Sequence, residues 1–384
     1  MNLKITFNSV LSLLMFCLIL LNPINIFANE TNIHDTEISN LLTFDEALNK
    51  AINESTDLKN LKLENESTSV KIDDSLENFG TSLMNPELLA VIKLQKNDKL
   101  NSDKTERMEN YIKRGIEFKI KSIFSNIDIM KNDLALKNEQ LNNSIRKRDM
   151  LELKLEYGME SKTNLTTMDI EINQSRKDIE TLEKELEEQY IQLNQLIGSD
   201  RFDRYEIESL AFNFEPIKDT SEDIEFKANR AISSDISIWG KKQQLEIQRI
   251  DIDFYALNYI PGAPSSMQTG SSSPYKALEL DSSIASNDLE QAKKDLKDAV
   301  IGKYNTIKKI ELMYENTLLK TKELEEKKRV LEVAIKSGTA IKQDYDDLML
   351  GLKEVDNAID KIQAQHALLV EMYNDPLLVG SNMS

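Results

Sequence analysis

Apolar positions between residues 103 and 157 recur in steps of three, four and seven, the spacing of a helix that is covered along its whole length. The series is Ile112, Ile116, Ile120, Ile123, Ile127, Met130, Leu134, Leu141 and Ile145. Such a pattern predicts a helix that packs against other helices. At 1.5 Å per residue, about 55 residues span roughly 80 Å, which exceeds the core of a compact domain. The pattern therefore predicts an extended coiled-coil arrangement.

The chain is expected to reverse direction at Gly158. This glycine lies in the stretch LELKLEYGMESKTNL (151–165), where Thr163 or Asn164 begins a second apolar series that ends at Gly198. A glycine at a helix C-terminus followed by capping residues is typical of a helical hairpin tip. The alternative is one helix of about 95 residues that tolerates Gly158 at a cost of only about 1 kcal/mol.

The same design occurs twice in the chain. The stretch LEVAIKSGTAIKQDY (331–345) repeats residues 151–165 at an offset of 180 positions, with identical residues at Gly158/Gly338 and Lys162/Lys342. Near the start of each copy, Ala231-Ile232 is identical to Ala51-Ile52 at the same offset. We therefore predict two tandem copies, and the recurrence of the glycine favours the hairpin over the single helix.

The predicted fold class is all-α, with long antiparallel coiled-coil hairpins in two tandem repeats. In the first repeat, Thr43 and Glu46 form a capping box that begins a helix. The second repeat should contain a helix from about Ser282 to Ser337 and a return helix from about Gln343 to Met372. The predicted boundaries are a signal peptide (1–28), a loose N-terminus (29–42), a first repeat (43–198, connector 77–103, tip 158–163), a linker (199–220), a second repeat (221–372, connector 256–279, tip 338–343) and a tail (373–384).

The first 28 residues have the features of a secretory signal. Lys4 precedes the apolar run VLSLLMFCLILL, and Ala28 ends a plausible cleavage site. The alternative is an uncleaved membrane anchor, but the run is shorter than the ~20 residues of a typical span. We therefore expect export across the cytoplasmic membrane.

The amino-acid composition excludes several classes of function. The one cysteine, Cys17, lies inside the signal, so a mature chain has no thiol for disulfides, catalysis or metal binding. A net charge of −18 argues against binding nucleic acid or anionic lipid. His34 and His366 have no second ligand at metal spacing, and no phosphate loop or nucleophile elbow occurs. We expect no enzyme activity, no cofactor and no metal.

The chain is expected to be exported, and it contains two tandem repeats. Each repeat opens with AL..AI or a variant of it and ends in a long hairpin with glycine at its tip. A chain of this design resembles the TolC-like outer-membrane efflux proteins. The resemblance covers roughly residues 43 to 372. Its most specific parts are TFDEALNKAINES (43–55), YGMESKTNL (157–165) with LEKELEEQYIQLNQLIG (182–198), and SGTAIKQDYDD (337–347).

The resemblance implies a homotrimer whose hairpins form a hollow helical cylinder. It also implies a periplasmic adaptor protein at the hairpin tips and an inner-membrane transporter that supplies energy. Asp344 and Asp347 match acidic positions that line the family's tip constriction. The alternative is that both carboxylates are solvated and stabilised by the helix dipole. The expected tip residues that contact an adaptor are Gly158, Thr163, Asn164, Gly338 and Lys342.

Some positions depart from the family pattern. Asn164 stands where some members have an acidic residue, Ala340 stands where an arginine ties the closed tip, and Ile335 replaces a tyrosine of the same latch. The family also inserts strands in each repeat that build a β-barrel, each needing about 9 to 11 residues. The first connector contains the apolar stretch LLAVIKLQK (88–96), which suits one such strand or a helix turn. The second connector is too rich in Pro, Gly and Ser for a strand, so we expect such strands to be short or absent.

Two functions follow as hypotheses. The first is a TolC-like efflux or export duct that conducts passively in the cell envelope, in the outer membrane if the organism has one. The alternative is a secreted coiled-coil protein that scaffolds the envelope and conducts nothing.

Overall fold

The computed structural model describes residues 41–77, 85–257 and 272–379. The expected signal peptide, residues 29–40 of the N-terminal segment, most of the Pro/Gly/Ser-rich stretch 261–274 and residues 380–384 of the tail lie outside the described residues.

The described residues form helices in two successive sets of four, which confirms the predicted fold class. The first set is α1 (Phe44–Glu54), α2 (Thr56–Glu77), α3 (Asn85–Glu156) and α4 (Lys162–Ile197). The second set is α5 (Ser221–Ser234), α6 (Ile236–Leu257), α7 (Ser272–Lys336) and α8 (Lys342–Asn374). Two short strands, β1 (Leu41–Leu42) and β2 (Glu206–Ile207), pair in parallel.

The first helix of each set begins with the same local chemistry. The Thr43 side chain accepts the backbone N–H of Glu46, whose carboxylate accepts the backbone N–H of Thr43, so the predicted capping box is confirmed. Thr220 and Asp223 make the equivalent box at the start of α5. Each box satisfies two backbone donors that a helix N-terminus leaves without partners.

The two long helices begin earlier than the sequence pattern indicates. α3 starts at Asn85 rather than near Asp103, and α7 starts at Ser272 rather than near Ser282. Pro86 and Pro274 lie in the first turn of each helix, where proline is tolerated because the N–H it lacks has no intrahelical partner there. Both connectors are therefore shorter than the expected 77–103 and 256–279.

Contacts place the four longest helices of the hairpins side by side in the order α4, α3, α8, α7. α2 also packs against α3, and α6 packs against α7 and α3. α3 and α8 thus join the two sets. Among the described residues, no helix carries an apolar stretch long enough to cross a membrane.

Each set of helices has its own core, and the two cores use equivalent positions. Ala51, Ile120 and Ile127 are buried in the first core. Residues 180 positions later, Ala231, Val300 and Ile307, are buried in the second. The pairs Ile172/Leu352, Leu182/Ile362 and Leu193/Tyr373 are buried at the same offset. The register of the repeat is therefore constant from the cores to the tips.

The linker 199–220 is fixed by specific contacts at both ends. Asn194, fully buried, donates to the backbone carbonyls of Arg201 and Asp203. Further on, the ring of Phe214 stacks on Tyr314 with 3.7 Å between centroids and lies 4.4 Å from the His366 ring. The linker is thus held against α4 at its start and against α7 and α8 near its end.

Candidate functional site

The first hairpin tip is a helix end closed by glycine. Gly158 has φ of 69°, and its N–H donates to the Leu155 carbonyl at 3.0 Å while the Met159 N–H donates to the Lys154 carbonyl at 2.8 Å. These two hydrogen bonds form a Schellman motif at the end of the helix. The motif requires the left-handed backbone that glycine adopts without strain.

The second tip is built in the same way. Gly338 has φ of 73°, its N–H donates to the Ile335 carbonyl at 3.0 Å, and the Thr339 N–H donates to the Ala334 carbonyl at 2.9 Å. The hydroxyls of Ser337 and Thr339 also donate to the Ala334 carbonyl. Both predicted reversals are present, 180 positions apart.

The two return helices start differently. Ser161 caps α4 by accepting the Asn164 N–H at 3.2 Å, and the Asn164 amide donates to Glu160 at 2.6 Å. The backbone N–H of Ser161 and then the Asn164 amide lower the pKa of Glu160. Ile341 begins α8 with no side-chain cap. Local polar contacts therefore fix the start of α4 more fully than the start of α8.

The tip residues expected to meet a partner are all at the surface. Gly158, Thr163, Asn164, Gly338 and Lys342 are exposed. A side chain placed at either glycine would meet no atom within 4 Å. The surface beside them holds large apolar side chains that the sequence reasoning missed: Leu153, Tyr157 and Met159 at the first tip, and Val330, Val333 and Ile341 at the second.

Asp347 lies at the contact between α3 and α8. Its carboxylate is 2.8 Å from the Lys147 ammonium and accepts the Asn143 amide at 2.6 Å and the Gln343 amide at 3.2 Å. Burial raises the pKa of Asp347, but Lys147, Asn143 and Gln343 together outweigh it, and the pKa is lowered. Asp347 therefore carries a negative charge that α3 neutralises.

The surroundings of Asp344 differ from those of Asp347. It is exposed in the first turn of α8 and lines an open groove of about 710 Å³ between α7 and α8. The groove is lined by the apolar residues Val330, Leu331, Ala334 and Leu348 together with the charged residues Glu323, Glu326 and Lys327. The structure thus separates two carboxylates that the sequence reasoning treated as a pair.

Polar pairs recur along the α3–α8 contact. Lys353 lies 2.6 Å from Glu139, Lys361 lies 2.5 Å from Asp133, and Lys121 lies 2.8 Å from Glu371. Asn357 donates to the Asn132 carbonyl at 3.2 Å. These partners lie more than 200 positions apart, so periodicity within one helix could not have revealed them.

Acidic side chains are numerous, but they do not gather as metal ligands. In residues 41–77, 85–257 and 272–379, no group of three or more His, Cys, Asp or Glu side chains is placed to hold a metal ion.

Comparison with known proteins gives structural neighbours alone. No family model and no curated protein matches the chain. The structure of the CmeC outer membrane channel of Campylobacter jejuni is 12% identical and superposes with a TM-score of 0.62, covering 94% of this chain and 95% of that chain. The chain has the TolC-like fold.

Two further structures with this TolC-like fold superpose over a somewhat smaller share of this chain. The outer membrane protein VceC of Vibrio cholerae is 10% identical, with a TM-score of 0.60 over 88% of this chain and 96% of its own. The open state of the Neisseria gonorrhoeae MtrE outer membrane channel is 10% identical, with a TM-score of 0.55 over 88% and 89%. The resemblance inferred from the hairpin motifs is confirmed for the fold. The neighbours named here as channels are not enzymes.

Proposed function

We propose that the chain is a subunit of an efflux or export duct in the cell envelope. The duct is a homotrimer whose helical hairpins surround a passive tunnel. The observation that carries this proposal is the extent of the shared fold, since 94% of this chain superposes on 95% of CmeC, an outer membrane channel. Two complete repeats with both hairpins are thus present.

In this proposal the duct supplies a path and other proteins supply energy. A periplasmic adaptor protein contacts the hairpin tips at Gly158, Thr163, Asn164, Gly338 and Lys342, and an inner-membrane transporter drives export. The exposure of all five residues supports this assignment. The bare glycines and nearby apolar side chains offer a surface on which another helical tip can pack closely.

Asp344 and Asp347 form the proposed constriction. Three copies of the exposed Asp344 place a ring of carboxylates at the narrow end of the tunnel, which concentrates cations. Asp347 lies one turn further along α8, with 39% of its side chain exposed. Because Lys147 offsets its charge, Asp347 contributes less field than Asp344 and fixes α8 against α3.

The mass of the purified protein by light scattering tests this function against the scaffold alternative. A duct subunit forms a discrete particle with three times the mass of one chain, in mild detergent or in plain buffer. A monomer or a dimeric rod in both conditions contradicts the duct and leaves the scaffold.

A further inference from the structure

His366 on α8 is the one histidine among the described residues, and it is buried. Only 2% of its surface is exposed. Its Nε2 atom lies 3.5 Å from the Glu311 carboxylate of α7, and its ring centroid lies 4.4 Å from that of Phe214 in the linker. Histidine is the side chain whose charge ordinarily changes between pH 5 and 8. A group that can gain a proton therefore lies where α7, α8 and the linker meet.

Glu311 carries a negative charge at this meeting point. It is 7% exposed. One carboxylate oxygen accepts the backbone N–H of Ile217 at 2.7 Å, and the other lies 2.8 Å from the Lys308 ammonium. Burial raises the pKa of Glu311, but Lys308, the Ile217 N–H and His366 together outweigh it, and the pKa is lowered. Glu311 thus stays ionised at neutral and mildly acidic pH.

The hold of the second repeat on the linker depends on this cluster. Ile217 is bound at both its backbone groups, since its N–H donates to Glu311 and its carbonyl accepts from Lys308. Phe214 stacks on Tyr314 and contacts the His366 ring. The linker residues 214–217 are therefore held by side chains of α7 and α8 that surround one carboxylate.

Helix packing alone does not require this pair of ionisable groups. The residues 180 positions before His366, Glu311 and Tyr314 are Leu186, Lys131 and Leu134. Leu186 packs against the apolar core of the first set of helices. Burying an ionisable pair is costly compared with apolar packing of similar volume. The pair in the second repeat therefore points to a role beyond packing.

We infer that His366 and Glu311 form a pH-responsive clasp, which holds the linker more tightly to the second repeat when His366 is protonated. An imidazolium attracts the Glu311 carboxylate in a charge-assisted contact and the aromatic ring of Phe214 in a cation–π contact. Phe214 belongs to the linker, and Glu311 binds the linker at Ile217. Both attractions therefore act on the same segment of the linker.

Two effects oppose the proton. Burial disfavours a charged imidazole, and the Lys308 ammonium already lies against Glu311 and repels a second cation. The clasp therefore requires that Glu311 and Phe214 outweigh burial and Lys308.

The other charged groups near this level have partners of their own or are exposed. On the α3 side of α8, Lys121 binds Glu371 and Asp133 binds Lys361. In the linker, Asp219 binds Lys227 and accepts the Tyr373 hydroxyl. Two further linker residues are exposed, namely Glu215 and Lys218. Glu311 is thus the charged group that contacts the imidazole directly.

The linker is also fixed to the first repeat, so the clasp acts on both repeats. Asn194 donates to the carbonyls of Arg201 and Asp203, and the Ser209 hydroxyl donates to Asp128 at 2.7 Å. A tighter hold on residues 214–217 therefore ties the second repeat more firmly to the first. The clasp lies within one chain, so it depends neither on the number of copies nor on the proposed duct.

Hydrogen exchange of the full chain at pH 7.5 and 5.5, followed by mass spectrometry, tests the clasp. After correction for the intrinsic effect of pH on exchange, linker residues 212–220 should be about three- to tenfold more protected at pH 5.5. Core residues 120–127 should change little and report that the hairpins remain folded. Linker protection that is unchanged or lower at pH 5.5 overturns the inference.

Replacing each histidine in turn assigns the effect. His366→Gln keeps a hydrogen-bond donor for Glu311 but cannot gain a charge, so the pH effect on the linker should disappear. The matched control is His34→Gln, which removes the other histidine of the chain and should leave the effect intact. An effect that persists in His366→Gln, or one that His34→Gln abolishes, contradicts the clasp.

A third variant removes the anion and keeps the histidine. Glu311→Gln retains an oxygen that can accept the Ile217 N–H, but no charge attracts the imidazolium. Linker protection should then stay level or fall at pH 5.5, because burial and Lys308 oppose the proton. A rise as large as in the wild type would refute the pairing of His366 with Glu311.

Discussion

Asp347 of α8 and Lys147 of α3 form an ion pair of 2.8 Å that joins the two hairpins near their tips. Asn143, which is buried, donates to the same carboxylate and accepts from Gln343. A carboxylate that α3 neutralises therefore joins the hairpins near their tips, and this contact should weaken when Asp347 is protonated.

Replacing Asp347 with Asn should destabilise the protein at neutral pH and have less effect in acid. The pKa of Asp347 is below its ordinary value of 3.8, so ionisation stabilises the folded state above that pH, and the contribution declines as the pH falls through the lowered pKa. We expect a loss of about 0.5–1 kcal/mol at pH 7, since the pair is partly exposed. Urea unfolding at pH 7, 5 and 3 measures it.

The control for this experiment is Asp344→Asn, which changes an exposed carboxylate on the same helix. It should alter stability by less than Asp347→Asn at pH 7. An Asp347→Asn variant equal to the wild type at pH 7, or a difference that grows in acid, contradicts the role given to the pair.

Replacing Gly158 or Gly338 with Ala should cost about 1 kcal/mol of unfolding free energy each. Both positions have positive φ and no atom within 4 Å of an added side chain, so the cost is backbone strain alone. Gly351→Ala is the matched control, because Gly351 lies inside α8 in equally open space. It should stabilise by about 0.5–1 kcal/mol. Equal effects at all three positions would refute the assignment of the tips.

Replacing Phe214 with Ala should loosen the linker from α7 and α8. The variant loses the stacking on Tyr314 and the contact with His366, and we expect a cost of about 2 kcal/mol for a half-buried ring. Phe226→Ala removes a ring that is 67% exposed and should change stability by less than about 0.5 kcal/mol. Thermal unfolding of both variants decides the point, and equal melting temperatures would contradict it.

Replacing Asp344 with Asn should lower the cation preference of the duct. In the proposed trimer, Asp344→Asn removes three carboxylates from the constriction, whereas Asp347→Asn removes charges that Lys147 already offsets. Reversal potentials in asymmetric salt should therefore shift further toward zero for Asp344→Asn than for Asp347→Asn. The opposite order would move the constriction from Asp344 to Asp347.

The hairpins could be predicted because their determinants are local. Gly158 and Gly338 each end a helix within one turn of the residues that close it, and Thr43 and Glu46 cap a helix from three positions apart. The beginning of α3 is harder to predict from the sequence, because the segment 88–96 is a short apolar run whose periodicity suits a strand or a helix equally.

Contacts between the repeats could not be predicted in the same way. Lys147 and Asp347 lie 200 positions apart, and each has many equally charged neighbours in sequence. The family resemblance grouped Asp344 with Asp347, whereas the packing of α8 directs Asp347 to α3 and leaves Asp344 exposed. The offset of 180 positions was visible in the sequence, but the packing of α3 against α8 was not.

Electron microscopy of the purified protein, in mild detergent and in plain buffer, tests most directly whether copies of this chain form a duct. End-on views of particles of trimeric mass should show a closed ring of helices around an open lumen. A solid bundle or an open row of helices in particles of that mass would contradict the duct.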